Sequence, residues 1–318
     1  FLNMMPDAAL AATERQFIRL VGSCNRIAQF FVYPFSLPEL PRSAETLEYI
    51  ERYYSNFEDL RNDGLDALII TGANVVKPNL TQESFWEPLI DIVTWAEENV
   101  ASTLCSCLAT HALLKHFYNV DRQPLPQKLW GIYSHRVRRP DNLLLRDINT
   151  RFNVPHSRHN DISRDQLEAV GLKVLVESDE GGVHMAVSRD QFRTIYFQGH
   201  PEYDVNSLLK EYKRETKRFL EGELDTPPPF PEDYFSPEAQ QLANDWLESV
   251  TRARDGGDPL PKMPERELES LLDNTWGDTA KAIVANWLGL VYQFTDMDRK
   301  KQFMPGVDPE DPLGIGSD

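Results

Sequence analysis

A thiol, an imidazole and a carboxylate are the side chains in this sequence whose placement could do covalent chemistry. The segment 100–118 (VASTLCSCLATHALLKHFY) passes from an apolar run straight into a helical pattern with no turn residues between. That is the layout of a nucleophile elbow, a strained turn whose central side chain needs small residues two positions away on either side. Centred on Cys107, the flanks are Cys105 and Ala109, both small; centred on Cys105, they are Thr103 and Cys107, which fit less well and lie farther from the helix start. Cys107 is the expected nucleophile, Cys105 the alternative, and a pair of small buried hydrophobes the inert reading. The N–H of Leu108 opens the helix, where it can stabilise an oxyanion and favour a thiolate at Cys107.

The segment 194–204 (TIYFQGHPEYD) is an apolar strand ending at Gly199 and His200. The imidazole is thus expected at a strand's carboxyl edge, where ligands bind in open α/β sheets. Glu202, two residues on across Pro201, is placed to hold the second ring nitrogen and fix the tautomer. His111, His116, His135, His156, His159 and His184 are read as structural or solvated. No His or Cys pair with zinc spacing stands in a four-ligand set, so no metal is expected.

Elements must position these groups. Short apolar runs rich in β-branched and aromatic residues at 27–33, 67–71, 100–105, 172–177 and 194–198 read as strands. Apolar residues at three- and four-residue spacing mark helices at 11–21, 86–98, 109–118 and 205–220. Strand and helix alternate, which predicts an α/β fold with a doubly wound, mostly parallel sheet. The expected organisation is a catalytic domain over 1–224, a proline-rich linker and helical extension over 225–303 that packs on the core, and a flexible tail over 304–318. Within the extension Trp276, Ala280, Ile283, Val284, Trp287, Leu290, Val291 and Phe294 share one helical face, expected to dock on the core or on a second subunit.

The 318 residues, 41% hydrophobic and 26% charged, can bury a substantial core. A formal charge of −17 leaves no basic surplus for phosphates, so nucleic acid is not an expected partner. No apolar run is long enough to cross a bilayer and no signal-peptide pattern opens the chain, which points to a cytoplasmic protein. Three cysteines argue for reduced thiols over a disulfide framework. The chain opens on Phe1 inside an apolar stretch, so a first strand is expected to be cut short.

With these residues the sequence resembles the homoserine O-succinyltransferase/O-acetyltransferase family over most of its length. The segments that carry the resemblance are LNMMP at 2–6, TERQF at 13–17, NFEDL at 56–60, DALIITGA at 66–73, STLCSCLA at 102–109, KLWGIYSH at 128–135, PHSRHND at 155–161 and GHPEYD at 199–204. The resemblance implies a class I glutamine amidotransferase-like fold and a triad of Cys107, His200 and Glu202. It implies ligand binding by Lys128, Ser157 and Arg214, with Glu211 in support. The implied activity is transfer of an acyl group from succinyl-CoA or acetyl-CoA, as co-substrate, to the hydroxyl of homoserine in methionine biosynthesis. No bound cofactor is implied.

Double displacement through a Cys107 thioester fits that chemistry, with an oxyanion hole from Leu108 and from Gly72 or Ala73. The family carries Gly with succinyl transfer, or Glu with acetyl transfer, at the position of Val76. Valine adds bulk without a charge that would repel a succinyl carboxylate, so the reading leans to succinyl. Serine or another hydroxy amino acid is the alternative acceptor, and a glutaminase-type amidotransferase the alternative enzyme. Small molecules are the expected partners, with a homodimer as the assembly to test and no membrane.

Overall fold

A computed structural model describes residues 1–24 and 29–316. Its strands are β1 (Ala67–Ile70), β2 (Ser102–Ser106), β3 (Gln123–Val137), β4 (Arg151–Asp161), β5 (Lys173–Ser178), β6 (Gly182–Val187) and β7 (Thr194–Phe197). Its helices are α1 (Asp7–Ser23), α2 (Ala44–Tyr53), α3 (Phe57–Asp63), α4 (Trp86–Asn99), α5 (Leu108–Tyr118), α6 (Arg164–Ala169), α7 (Ser207–Leu220), α8 (Pro237–Gly256), α9 (Glu265–Ser270) and α10 (Gly277–Phe294). Local chemistry starts several of them. Ser43 and Asn56 accept backbone N–H bonds at the heads of α2 and α3, and Ser163 forms a capping box with Gln166 on α6.

All seven strands join one sheet in the order β1-β2-β7-β6-β5-β3-β4. The α/β class holds, but the sheet is mixed, not mostly parallel. Only β1·β2 and β2·β7 pair in parallel among these strands; the other neighbours are antiparallel. The physical reason is connection length. β5, β6 and β7 follow one another through short links, which can only return the chain antiparallel, whereas β1, β2 and β7 are separated by long crossovers.

The expected strand at 27–33 lies partly outside the described residues, and 29–33 carry no strand; beyond them Phe35 makes an isolated parallel bridge to Leu2, which also bridges Ile70. β3, β4 and β6 had no counterpart among the expected strands.

The parallel strands are buried on both faces, which is why they read as unbroken apolar runs. Leu68, Ile70, Cys105 and Tyr196 point into a core under α4 and α5, while Ile69, Leu104, Ile195 and Phe197 point into a second core under α1 and α10. The apolar face of α10 fills that second core, and Trp287 Nε1 donates to Ser102 Oγ at 2.8 Å beneath β2. Trp276 instead enters a third cluster that joins β3 to α7, α8 and α9. The proline-rich stretch returns to the sheet: Glu232 exchanges backbone bonds with Trp130 and Ile132 on β3. Beyond α10, Phe303 and Leu313 pack against the second core.

Candidate active site

The three adjacent parallel strands end at one edge of the sheet, and each delivers one part of a reaction site. β1 runs into Gly72, β2 into Cys107 and β7 into His200. Cys107 stands between β2 and α5 with φ 53° and ψ −112°, a backbone region that costs a non-glycine residue about 1–3 kcal/mol. The surroundings hold it there. Its N–H donates to Phe197 O at 2.8 Å, and Thr110 Oγ1 donates to the same carbonyl at 2.8 Å and to Cys105 O at 3.1 Å. Cys105 and Ala109 are fully buried, so the elbow has the small flanks it needs.

Cys105, the other elbow candidate, lies inside the sheet, and burial pushes its thiol far above the usual range. Cys24 is pushed up to about 11, again by burial. The Cα of Gly72 faces the elbow, where a Cβ built on it would lie 3.5 Å from Cys107 Cβ and 3.8 Å from Leu108 N. The first residue of α5 and the backbone after β1 therefore come together beside Cys107.

His200 is held from three sides. Its N–H donates to Pro155 O at 2.8 Å, its Nδ1 bonds Glu202 Oε1 at 2.8 Å, and its ring stacks on Tyr203 with centroids 4.2 Å apart. Glu202 is itself buried, which strengthens its hold on the imidazole. Burial alone would push His200 down; the charges of Glu202 and Cys107 together outweigh it and raise the imidazole well above its usual range. Nε2 is buried without a well-aligned hydrogen bond among the described residues, and Cys107 acts on the imidazole.

Gly199 brings the base down onto a layer of buried histidines. A Cβ there would lie 2.6 Å from Val154 Cγ1 and 2.8 Å from both His156 Cε1 and His184 Nδ1, so only glycine fits. Arg158 donates to His156 Nδ1, His156 Nε2 meets His135 Nε2 at 3.1 Å, and His135 Nδ1 donates to Tyr133 O at 2.8 Å. These bonds satisfy His156 and His135 as neutral imidazoles, and burial lowers both of them and His184, with His135 pushed down to about 4. They support the site without reaching it.

Beside His200 lies a polar cluster centred on Glu211 of α7. Its Oε2 accepts from Ser157 Oγ at 2.7 Å and pairs with Lys128 Nζ at 3.1 Å; its Oε1 accepts from Tyr203 OH at 2.8 Å. Burial works against the Glu211 charge, but Lys128 and the two hydroxyl donors outweigh it and keep the carboxyl below its usual range. Tyr203 belongs to the GHPEYD segment. The structure makes it the link between base and cluster, a contact that only the folded chain supplies.

Arg214 is 58% exposed and pairs with its neighbour Glu215, one helical turn beyond Glu211. Val76 turns its side chain to solvent, 81% exposed, while its N–H donates to Glu83 Oε1 at 2.7 Å. Its position at the mouth of the loop after β1 is fixed by its backbone, and its side chain walls off no enclosed space. Among the described residues no cluster of His, Cys, Asp and Glu could hold a metal ion, and no helix is long and apolar enough to cross a membrane.

Comparison with known proteins adds a family. The family model described as "HTS: Homoserine O-succinyltransferase" matches residues 1–297. The homoserine O-succinyltransferase of Nitrosococcus oceani is 59% identical over 314 residues, covering 99% of this chain and 88% of the relative. That of Allochromatium vinosum is 57% identical over 314 residues with the same coverage. Among solved structures, a glutamine amidotransferase from Methylobacillus flagellatus has a TM-score of 0.46 at 14% identity, covering 86% of this chain and 88% of its own. One from Thermotoga maritima has a TM-score of 0.41 at 12% identity, covering 78% and 90%.

Proposed function

The chain belongs to the homoserine O-succinyltransferase family, and from that membership we propose that it moves a succinyl group from succinyl-CoA to the hydroxyl of homoserine through a thioester on Cys107. The observation that carries the mechanism is the convergence of Cys107 and the His200–Glu202 pair, at 2.8 Å, on one sheet edge. Succinyl-CoA is a co-substrate, and no resident cofactor is part of the reading. The product is a precursor in methionine biosynthesis, and the proposed compartment is the cytoplasm.

The reaction divides into two displacements. The Cys107 thiolate attacks the thioester carbonyl, and the N–H of Leu108, with that of Gly72 or Ala73, binds the oxygen as it becomes negative. The carbon–sulfur bond to CoA breaks and His200 gives its proton to the departing thiolate. Neutral again, His200 takes the proton of the acceptor hydroxyl, whose oxygen attacks the acyl-enzyme; collapse forms the ester and releases the Cys107 thiolate, which the returning His200 proton balances. Glu202 keeps Nδ1 protonated so that Nε2 does the proton transfer. The acceptor is a free amino acid. Glu211 offers a carboxylate to its ammonium, and Lys128 and Arg214 offer cations to its carboxylate, with Ser157 positioning Glu211.

Intact-protein mass spectrometry after mixing with succinyl-CoA tests this. A succinyl adduct is expected on the wild type and on Cys105→Ala and none on Cys107→Ala; an adduct that survives Cys107→Ala overturns the nucleophile. Specificity constants for homoserine and serine, each with succinyl-CoA and acetyl-CoA, test the acceptor and donor. Highest activity with serine or with acetyl-CoA would overturn the respective assignment.

A further inference from the structure

A cavity of about 450 Å³ opens between the loop after β1 and α5, and His111, four residues after Cys107, is in its lining. Pro78, Leu80, His111, Lys115, Asp121 and Arg122 line it. Its two cations are not equally partnered. Lys115 Nζ pairs with Asp121 Oδ1 at 3.0 Å and with Asn119 Oδ1 at 2.8 Å, so those two formal charges cancel. His111 is bonded to Gln198 and held neutral by burial, pushed down to about 4. Glu83, whose charge acts on Arg122 without a direct contact, accepts from the N–H groups of Val76 and Lys77. Arg122 is half-buried and has no hydrogen bond or ion pair among the described residues, although the charges of Cys107 and Glu83 both act on it.

Resting on the succinyl-transfer reading above, we propose that this cavity receives the free carboxylate of the dicarboxylic acyl donor, with the Arg122 guanidinium as its counter-ion. Dimensions support the placement. The nearest α5 side chain in the lining, His111, stands one helical turn, roughly 5.4 Å, from Cys107. An extended four-carbon diacid reaches from its thioester carbon to its far oxygens in roughly 5 Å, on bonds of about 1.5 Å. A guanidinium without a protein carboxylate partner is the donor fork that matches a ligand carboxylate through two parallel bonds. An acetyl group ends before the cavity and leaves Arg122 unused. Donor choice is then made by a charge that attracts the longer substrate, at Arg122, instead of by the solvent-facing side chain of Val76.

The shared anionic chemistry has a second source in the phosphates of CoA, and the test separates the two. Specificity constants for succinyl-CoA and acetyl-CoA are measured with homoserine on the wild type, Arg122→Gln and Arg122→Lys, with thermal melts to verify folding. For Arg122→Gln the succinyl-CoA constant is expected to fall about 10- to 100-fold, with a much smaller loss for acetyl-CoA, and Arg122→Lys is expected to recover part of the ratio. Equal losses with both donors would assign Arg122 to the common CoA portion and overturn the proposal, as would an unchanged ratio. A wild type that transfers acetyl but not succinyl fails at the donor assignment itself, which the wild-type measurement reveals before any variant is compared.

Discussion

Mild acid should destabilise this protein through its buried histidines, and the size of the effect follows from two of them. His111 faces Gln198, with Arg122, Arg158 and Asp161 acting on it at longer range; His135 faces the Tyr133 carbonyl and His156, with Arg158 close by. Burial pushes both down to about 4, whereas an unfolded histidine titrates near 6.5. Between those values the unfolded chain binds more protons, so stability falls as pH falls and levels off only below about 4. Each histidine then removes ~1.6 kcal/mol between pH 6.5 and pH 5, or ~3 kcal/mol for the pair. His156 and His184, both lowered well below 6.5, add to the loss.

His200 has the opposite sign, because its folded value is raised: its contribution is complete below pH 6.5 and is lost as pH rises through the folded value. Other groups titrate in the window from pH 6.5 to pH 5, the buried Phe1 ammonium among them, so the difference in slope between wild type and a single-histidine variant is what reads a lowered histidine. Urea unfolding followed by circular dichroism at pH 6.5, 5.75 and 5.0 gives the slope. In His111→Leu, Gln198 Oε1 keeps its bond from Ile162 N, and the slope should drop by ~1 kcal/mol per pH unit. Wild type and variant slopes that run parallel would refute the reasoning.

Two further outcomes follow from the geometry around the base. Gly199→Ala must displace Val154, His156 or His184, so it should cost about 1–3 kcal/mol and move His200 off its line to Cys107; unchanged melting temperature and kcat together would contradict the close packing. Tyr203→Phe keeps the stack on His200 but removes the bond to Glu211, so acylation by succinyl-CoA should proceed at near the wild-type rate while kcat/KM for the acceptor falls about tenfold. Rapid-quench measurement of the acylation step beside steady-state turnover separates the two, and equal losses in both would remove Tyr203 from the acceptor side.

The elbow at Cys107 and the pairing of His200 with Glu202 were legible in the sequence because their instructions are local. A strand that runs into a helix without turn residues forces the Cys107 elbow, and His200 and Glu202 are two residues apart, so neither depends on distant pairing. The strands β1, β2 and β7 were legible for a related reason: layers on both faces require apolar side chains at every position. β3 and β4 broke that rule. They carry Pro124, Pro126, Arg136 and Arg158 among their apolar residues, and the His135–His156 contact that satisfies their buried polar groups exists only once the hairpin has formed.

Distance along the chain hid the rest. Lys128, Ser157 and Glu211 were named by resemblance alone, and the bonds joining them span 83 and 54 residues. Arg122 carried no signal at all, since an arginine between two short elements is read as solvated until its surroundings are seen to leave its charge unbalanced. Local backbone preferences act over a few residues and decide where the elbow and the base form. Which side chains meet around them depends on closing long loops and burying polar groups in pairs, and those free energies belong to the tertiary structure.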